Sequence, residues 1–214
     1  IDLSSIDQMP ERLKKISGKN NALFRVPGAY GFAAALKIYE TFRKITNRAS
    51  PLEGTIRIVD EYDDRLDSLW DRVKHSIPCA QVRNAAYMNW QFKKDNGWIK
   101  LVYEENDEML GYALCAQRQF EESDRLSGLK IMSIIDVLWD FQHREILHSI
   151  IGSVEKIARE NHADVLICSI SNLQARRILI KNSFFKIPGT VYFAFHCADK
   201  SLRLSDCMED WFVT

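Results

Sequence analysis

Two hydrophobic periodicities divide the second half of the chain into strands and helices. Over 99–104, Ile99, Leu101 and Tyr103 alternate with Lys100, Val102 and Glu104, which predicts a strand. A turn at Asn106-Asp107 leads into a hairpin partner over 110–117. A predominantly apolar run over 129–139 is typical of a central strand. Three consecutive antiparallel strands are therefore expected.

After the central strand, the apolar residues recur at helical spacing. Apolar residues over 146–157 predict a helix that ends near Asn161 and lies on the sheet with a wide apolar stripe. A strand over 165–170, a helix over 172–182 and a last strand over 191–196 follow. The helix between the central strand and the next one lets those two strands run parallel. The pattern predicts an α+β fold, with a mostly antiparallel mixed sheet flanked by helices.

The first part of the chain has shorter elements. A strand is expected over 55–59, a helix over 63–75 that Pro78 terminates, and a second helix over 82–94. Further upstream, apolar residues over 33–45 predict one long amphipathic helix.

Linker-like residues over 48–54 mark the expected domain boundary. Residues 1–53 are interpreted as a helical adapter or the remnant of a preceding domain, because one helix in fifty residues buries too little apolar surface to fold alone. The main domain is expected over 54–196, and 197–214 is expected to form a C-terminal tail.

The charge balance and the cysteines narrow the classes of function. Twenty-nine basic and 29 acidic side chains give a formal net charge of zero, so no global field attracts a phosphate backbone and nucleic acid is not an expected partner. The five cysteines lack CxxC spacing and read as reduced core residues. No apolar stretch approaches the ~20 residues of a membrane span. A cytoplasmic location is the expectation.

Three short stretches carry a resemblance to a known family. Over 172–185, Asn172 is followed by Ala175 and then by the Ser-Phe-Phe sequence that ends the stretch; 56–61 looks like a family first strand. With the order of elements, these residues resemble the GNAT superfamily of N-acyltransferases. The 83–90 stretch is similar to GNAT-like domains associated with bacterial cell-envelope and exopolysaccharide genes. The resemblance implies acetyl-CoA or another acyl-CoA as cofactor and an amine such as an amino sugar as acceptor.

The resemblance is weakest at the coenzyme loop. The family pattern is Arg/Gln-x-x-Gly-x-Gly/Ala, in which backbone N–H groups at a helix N-terminus hold the coenzyme pyrophosphate. Here 140–146 has no glycine, and Asp140 and Glu145 would repel a diphosphate. The alternative is a charged, solvated loop that starts a helix. The polar residues that the resemblance leaves for the coenzyme are Gln142, His143, Arg144 and Asn172.

Asp136 is the candidate general base, because only a neutral amine can attack a thioester. A lone carboxylate in an apolar strand is costly to bury unless it is paired, so the alternative is a structural Asp bonded to backbone or to an Arg. Leu179 stands where the family has a proton-donating Tyr. Tyr192 on the last strand is the candidate acid instead, and its alternative is a core aromatic.

Arg83, Tyr87 and Trp90 are spaced i, i+4 and i+7, which places them on one face of the predicted helix. An Arg with two aromatic rings suits a sugar, peptide or acidic acceptor. The alternative is that the rings are core residues and that Arg83 pairs with a carboxylate.

Other classes of site lack their motifs. The five histidines have no spacing suited to zinc, so no metal is expected, and no Gly-x-Ser-x-Gly, Walker or dinucleotide motif occurs. Two hypotheses remain: an acyl-CoA-dependent N-acyltransferase, or a catalytically silent GNAT-like module that binds within an envelope-polysaccharide system. A transferase that uses charged tRNA is disfavoured by the neutral charge balance. The expected partners are a small-molecule or sugar amine and either a preceding domain or a second copy of the chain.

Overall fold

The computed structural model describes residues 53–121, 128–182, 184–186 and 211–212. Two short 3-10 turns, Lys74–Ser76 and Lys94–Asn96, accompany the longer elements. In chain order these elements are β1 (Thr55–Val59), α1 (Arg65–Val73), β2 (Cys79–Ala80), α2 (Ala85–Gln91), β3 (Ile99–Glu105), β4 (Glu108–Gln119), β5 (Lys130–Trp139), α3 (Arg144–Glu160), β6 (Val165–Cys168), α4 (Leu173–Lys181) and β7 (Trp211–Phe212).

Five strands form a mixed sheet in the order β1-β3-β4-β5-β6. The first three pairings are antiparallel, and β5 and β6 run parallel. Helix α3 connects the two parallel strands, as the crossover between them requires. The predicted α+β fold with its mixed sheet is confirmed.

The hairpin between β3 and β4 turns at Asn106 and Asp107, as predicted. Both residues have positive φ angles, 50° and 62°, the conformation that a tight two-residue hairpin requires. Strand β4 is longer than the predicted 110–117, because its polar end continues the ladder until Gln119 pairs with Lys130 of β5.

The predicted bounds of the helix over 82–94 are wrong at both ends, since α2 runs only from Ala85 to Gln91. Asn84 has an extended backbone and its side chain accepts a hydrogen bond from the Tyr87 N–H at 2.8 Å, so α2 begins only at Ala85. At the other end of the domain, Asn172 caps α4 as expected, since its side chain accepts from the Ala175 N–H at 3.0 Å.

A second, two-stranded sheet joins distant parts of the sequence. Strand β7 lies parallel to β2, with Cys79 opposite Trp211 and Ala80 opposite Phe212. The stretch 197–214 is predicted to form a C-terminal tail; of its two described residues, Phe212 has its ring buried in the hydrophobic core. The elements predicted over 33–45 and 191–196 lie outside the described residues.

Helix α3 packs closely on β4 at one glycine. A Cβ atom at Gly111 would lie 2.8 Å from Ile150 Cδ1, 3.0 Å from Ile146 Cγ2 and 3.2 Å from the Leu138 carbonyl oxygen. The missing side chain therefore sets the separation between this helix and the sheet.

Gly111→Ala is expected to lower the free energy of unfolding by about 1–3 kcal/mol, because the added methyl overpacks this contact. Gly152→Ala in helix α3 is the matched control, since a Cβ atom at Gly152 would meet no other atom within 4 Å. The control should gain about 0.5–1 kcal/mol from helix propensity. Urea unfolding of both variants measures the difference, and equal effects would contradict the close packing.

Candidate functional site at the bulge in strand β5

Strand β5 carries one extra residue beside β4. Leu114 pairs with Asp136 and Cys115 pairs with Ile134, so Ile135 has no partner in β4. A bulge of this kind bends a strand and re-aims the side chain that follows it. Neighbouring residues of β4 face opposite sides of the sheet, so the bulge turns Asp136 to the side of Leu114, away from the side of Ile134.

The pairing between β5 and β6 ends at the same place, because β6 itself ends at Cys168; this point is called the parting of the two strands below. Their parallel pairing runs only from Ile131–Val165 to Ile134–Cys168. Strand β5 then continues to Trp139 without a partner in β6. The bulge and the parting of the two strands thus coincide next to Asp136.

A buried ion pair occupies the Tyr112 side of this point. The Arg83 guanidinium donates from Nε to Asp136 Oδ2 at 3.0 Å and from Nη2 to Asp136 Oδ1 at 3.1 Å. The Tyr112 hydroxyl donates to Asp136 Oδ2 at 2.5 Å. Arg83 and Asp136 are only 4% and 6% exposed. Both oxygens of the carboxylate are therefore engaged away from solvent.

The electrostatics of the pair fix the charge states of its donors. Burial works against the Arg83 charge, but the neighbouring Asp136 carboxylate outweighs it and raises the Arg83 pKa. Burial, and then the negative charge of Asp136, raise the Tyr112 pKa well above its usual value. A cationic Arg83 and a neutral, proton-donating Tyr112 surround the carboxylate.

Phe212 closes this network from the far end of the described chain. Its carbonyl oxygen accepts from Arg83 Nη2 at 3.4 Å, and its ring centroid lies 5.0 Å from the guanidinium carbon. The same ring contacts Trp139 and Phe141, with centroids 6.2 and 5.8 Å away. The end of β5, the segment before α2 and strand β7 meet at the guanidinium.

Tyr62 adds a hydroxyl that has no partner. Its ring lies 5.2 Å from that of Tyr112, and its buried hydroxyl makes no hydrogen bond within the described structure. Burial, and then the charge of Asp136, raise the Tyr62 pKa well above its usual value. Buried polar groups are nearly always satisfied, so this hydroxyl marks a place for a water or a ligand atom.

The loop before α3 holds three of the four predicted coenzyme-binding residues. Gln142, His143 and Arg144 are all exposed. The buried Asp140 already engages this loop, since its Oδ1 accepts from the Gln142 N–H at 3.0 Å and its carbonyl oxygen from the His143 N–H at 2.9 Å. Its other oxygen lies 3.7 Å from Arg72 Nε. Two backbone donors that an anion could use are thus occupied within the chain, one by the Asp140 carboxylate and one by the Asp140 carbonyl oxygen.

Of the remaining residues considered in the sequence analysis, two have structural roles and one lies outside the described residues. The Asn172 side-chain oxygen is committed to capping α4. Leu179 is buried in the core. Tyr192 lies outside the described residues, so its predicted role stays a prediction.

The three residues predicted to share a helix face are split by the start of α2. The prediction is wrong for Arg83, because it precedes the cap Asn84 and points inward to Asp136. Tyr87 and Trp90 do lie together, with ring centroids 5.9 Å apart, and Trp90 is 67% exposed.

Sequence reasoning missed Tyr112, Tyr62 and Phe212 as parts of the site. One signal was available: a carboxylate inside an apolar strand needs a buried partner, and pairing with an Arg was the alternative stated for Asp136. No linear motif indicates which tyrosine or which distant strand joins that pair.

The described ranges contain neither a candidate metal site nor a candidate membrane-spanning helix. They contain no group of three His, Cys, Asp or Glu side chains placed to hold a metal ion. No helix among them is long and apolar enough to cross a membrane.

Asp136→Asn is expected to lower the free energy of unfolding by about 3–5 kcal/mol, because it leaves the Arg83 charge buried without a counterion. The control Asp71→Asn removes an exposed carboxylate paired with Lys74 and should cost less than about 0.5 kcal/mol. The double change Arg83→Met with Asp136→Leu should be less damaging than Asp136→Asn alone. Urea unfolding of these variants measures the changes in the free energy of unfolding. A loss for Asp136→Asn as small as that for Asp71→Asn would contradict a buried ion pair.

Comparisons with known proteins identify the fold. No protein-family model matches the sequence, and neither does any curated protein. The structure matches a ribosomal-protein-alanine N-acetyltransferase from Brucella melitensis biovar Abortus with a TM-score of 0.52 and 11% identity, over 67% of this chain and 100% of that one. An acetyltransferase from Trypanosoma brucei matches with a TM-score of 0.50 and 15% identity, over 66% of this chain and 99% of that one.

A third structure, a predicted acetyltransferase from Clostridium acetobutylicum with acetyl-CoA, matches with a TM-score of 0.50 and 16% identity, over 66% of this chain and 96% of that one. Identities this low establish the fold and nothing finer. The described chain therefore has the GNAT acetyltransferase fold.

Proposed function

We propose that the chain is an acyl-CoA-dependent N-acyltransferase that acts on an amine at the bulge of β5. The observation that carries the proposal is the buried carboxylate of Asp136, set with an Arg and a Tyr where β5 and β6 part. The similar Clostridium acetobutylicum structure was solved with acetyl-CoA, which supports that type of cofactor. Free thiols at Cys115 and Cys168 suit the reducing cytoplasm, where we place the protein.

The residues of the site suit proton handling during amide formation. In the reaction the amine nitrogen forms a bond to the acyl carbon, the bond from that carbon to sulfur breaks, and the nitrogen loses a proton. Asp136 would receive that proton as the general base, and the buried Tyr112 hydroxyl, which donates to its Oδ2, would orient the carboxylate. Arg83 would hold the carboxylate in place throughout.

The residues present fit the coenzyme only in part. The first N–H groups of α3 lack helical partners and favour an anion, and the exposed Arg144 adds a positive charge. Asp140 opposes binding, because its carboxylate already accepts from the Gln142 N–H. We therefore propose that Arg144 and the first turn of α3 hold the diphosphate weakly.

The hydrogen bond between the Asp140 carboxylate and the Gln142 N–H favours a second candidate function. If Asp140 fills the place that a phosphate needs, the domain would be a silent GNAT-like module that binds within an envelope-polysaccharide system. The two candidates differ in whether coenzyme A binds at all.

Coenzyme binding is tested by the thermal midpoint with and without excess acetyl-CoA. A ligand at 100 times its dissociation constant stabilises by about 2.7 kcal/mol. Asp140→Asn keeps an oxygen for the Gln142 N–H but removes the charge, so it should strengthen binding. Arg144→Glu should weaken binding roughly tenfold or more, because attraction becomes repulsion.

Arg159→Glu is the matched control, since it makes the same charge change in the last turn of the same helix. Its effect on coenzyme affinity should be small. No midpoint shift in the parent chain or in Asp140→Asn would exclude the enzyme and leave the module. Tight binding that ignores both loop substitutions would show that the diphosphate lies elsewhere.

A further inference from the structure

An exposed aromatic pair stands next to the buried network. Trp90 is 67% exposed, more than any other large apolar side chain in the described ranges. The half-buried ring of Tyr87 lies 5.9 Å away, and the two ring planes are inclined at 48°. These two residues, with Gln81, which donates to the Tyr87 hydroxyl, and Gln91, which accepts from Gln81, are called the aromatic platform below.

Helix α2 is held in place without the Trp90 ring. Ala85 and Met88 are its buried residues. Asn89 clamps the helix to the Tyr62 backbone, accepting from its N–H at 2.9 Å and donating to its carbonyl oxygen at 2.7 Å. The indole of Trp90 is therefore free to serve as a contact surface.

Two side-chain amides border the rings. The Gln81 amide nitrogen donates to the Tyr87 hydroxyl and, at 3.3 Å, to Gln91 Oε1. These bonds fix the two amides beside the rings and use both hydrogens of the Gln81 nitrogen. Gln81 Oε1 and the Gln91 amide nitrogen have no hydrogen-bond partner among the described residues, so one acceptor and one donor remain at the edge.

The platform carries no charge. Its two glutamines and two aromatic residues would recognise a phosphate or a carboxylate poorly, since neither an Arg nor a Lys belongs to it. The exposed face of the Trp90 indole, with neutral hydrogen-bonding groups nearby, matches a ring that has C–H faces and hydroxyl edges. We propose that the aromatic platform binds the pyranose ring of a sugar, with the ring over Trp90 and its hydroxyls on the Gln81 and Gln91 amides.

One residue connects the platform to the buried pair. The Gln81 carbonyl oxygen accepts from Arg83 Nη1 at 2.9 Å, while the Gln81 side chain borders the rings. A sugar on the platform thus lies beside the segment that positions Arg83 on Asp136. This step rests on the proposed function, for which it names the acceptor as an amino sugar; sugar binding itself does not depend on acyl transfer.

The test is direct binding, measured by saturation-transfer NMR and titration calorimetry on the full chain. The probes are glucosamine, methyl glucopyranoside, and ethanolamine as an amine without a ring. Glucosamine and methyl glucopyranoside should both bind saturably, and ethanolamine should not. Trp90→Ala should weaken the sugars roughly tenfold, as expected for loss of one aromatic contact, and Trp90→Phe should weaken them less.

Phe185→Ala is the matched control, because Phe185 is 58% exposed and lies beyond α4. It should leave sugar affinity unchanged. Failure of both sugars to bind, or equal affinity in the parent and Trp90→Ala, would overturn the platform. Binding of ethanolamine and glucosamine but not of the uncharged glucoside would also overturn it, because the rings would then attract only the ammonium group.

The platform and the proposed function can fail separately. Sugar binding that Trp90→Ala weakens, in a chain that does not bind acetyl-CoA, would support the platform in a silent module. Acetyl-CoA binding without sugar binding would support the cofactor proposal and overturn the platform.

Discussion

The buried ion pair between Arg83 and Asp136 is the interaction on which the site depends. It joins the segment before α2 to the central strand, 53 positions further along the chain. Two opposite charges out of water are tolerated only when each is paired and hydrogen-bonded, which fixes the distance between these segments. The Phe212 carbonyl and ring both contact the Arg83 guanidinium. Strand β7 therefore packs against a cation that Asp136 of β5 already holds in place.

Strands β3 to β6 and their directions were predictable because their signals are local, whereas the pairing of β1 with β3 was not predicted. Alternation over 99–104 and the apolar run before α3 each depend on neighbouring residues. The bulge at Ile135 was not predictable, because one inserted residue leaves an apolar run unchanged while it reverses the face of every later side chain. The late start of α2 follows from the capping choice of Asn84, and that start separates Arg83 from Tyr87. The partners Tyr112 and Phe212 follow only from tertiary packing.

The loop before α3 shows how one fold can differ in its affinity for an anion. A helix N-terminus offers unpaired N–H groups to any negative charge, including one from its own chain. Asp140 takes the Gln142 N–H and is partly shielded by Arg72, so the loop satisfies itself where glycines would leave the backbone open. The missing glycines and the carboxylate are therefore one feature: a side-chain anion supplies what an external phosphate would otherwise supply.

The composition of the network bears on whether the site is only structural. A buried ion pair contributes little net stability compared with apolar residues of the same volume, because desolvation cancels most of the attraction. The Tyr62 hydroxyl adds a buried polar group beside Tyr112 that makes no hydrogen bond to any described residue. Polar groups that a stable core would omit are typical of sites that bind or transform a ligand. Their position beside the end of the β5–β6 pairing is the reason why the proposed function assigns the acceptor to this part of the described structure.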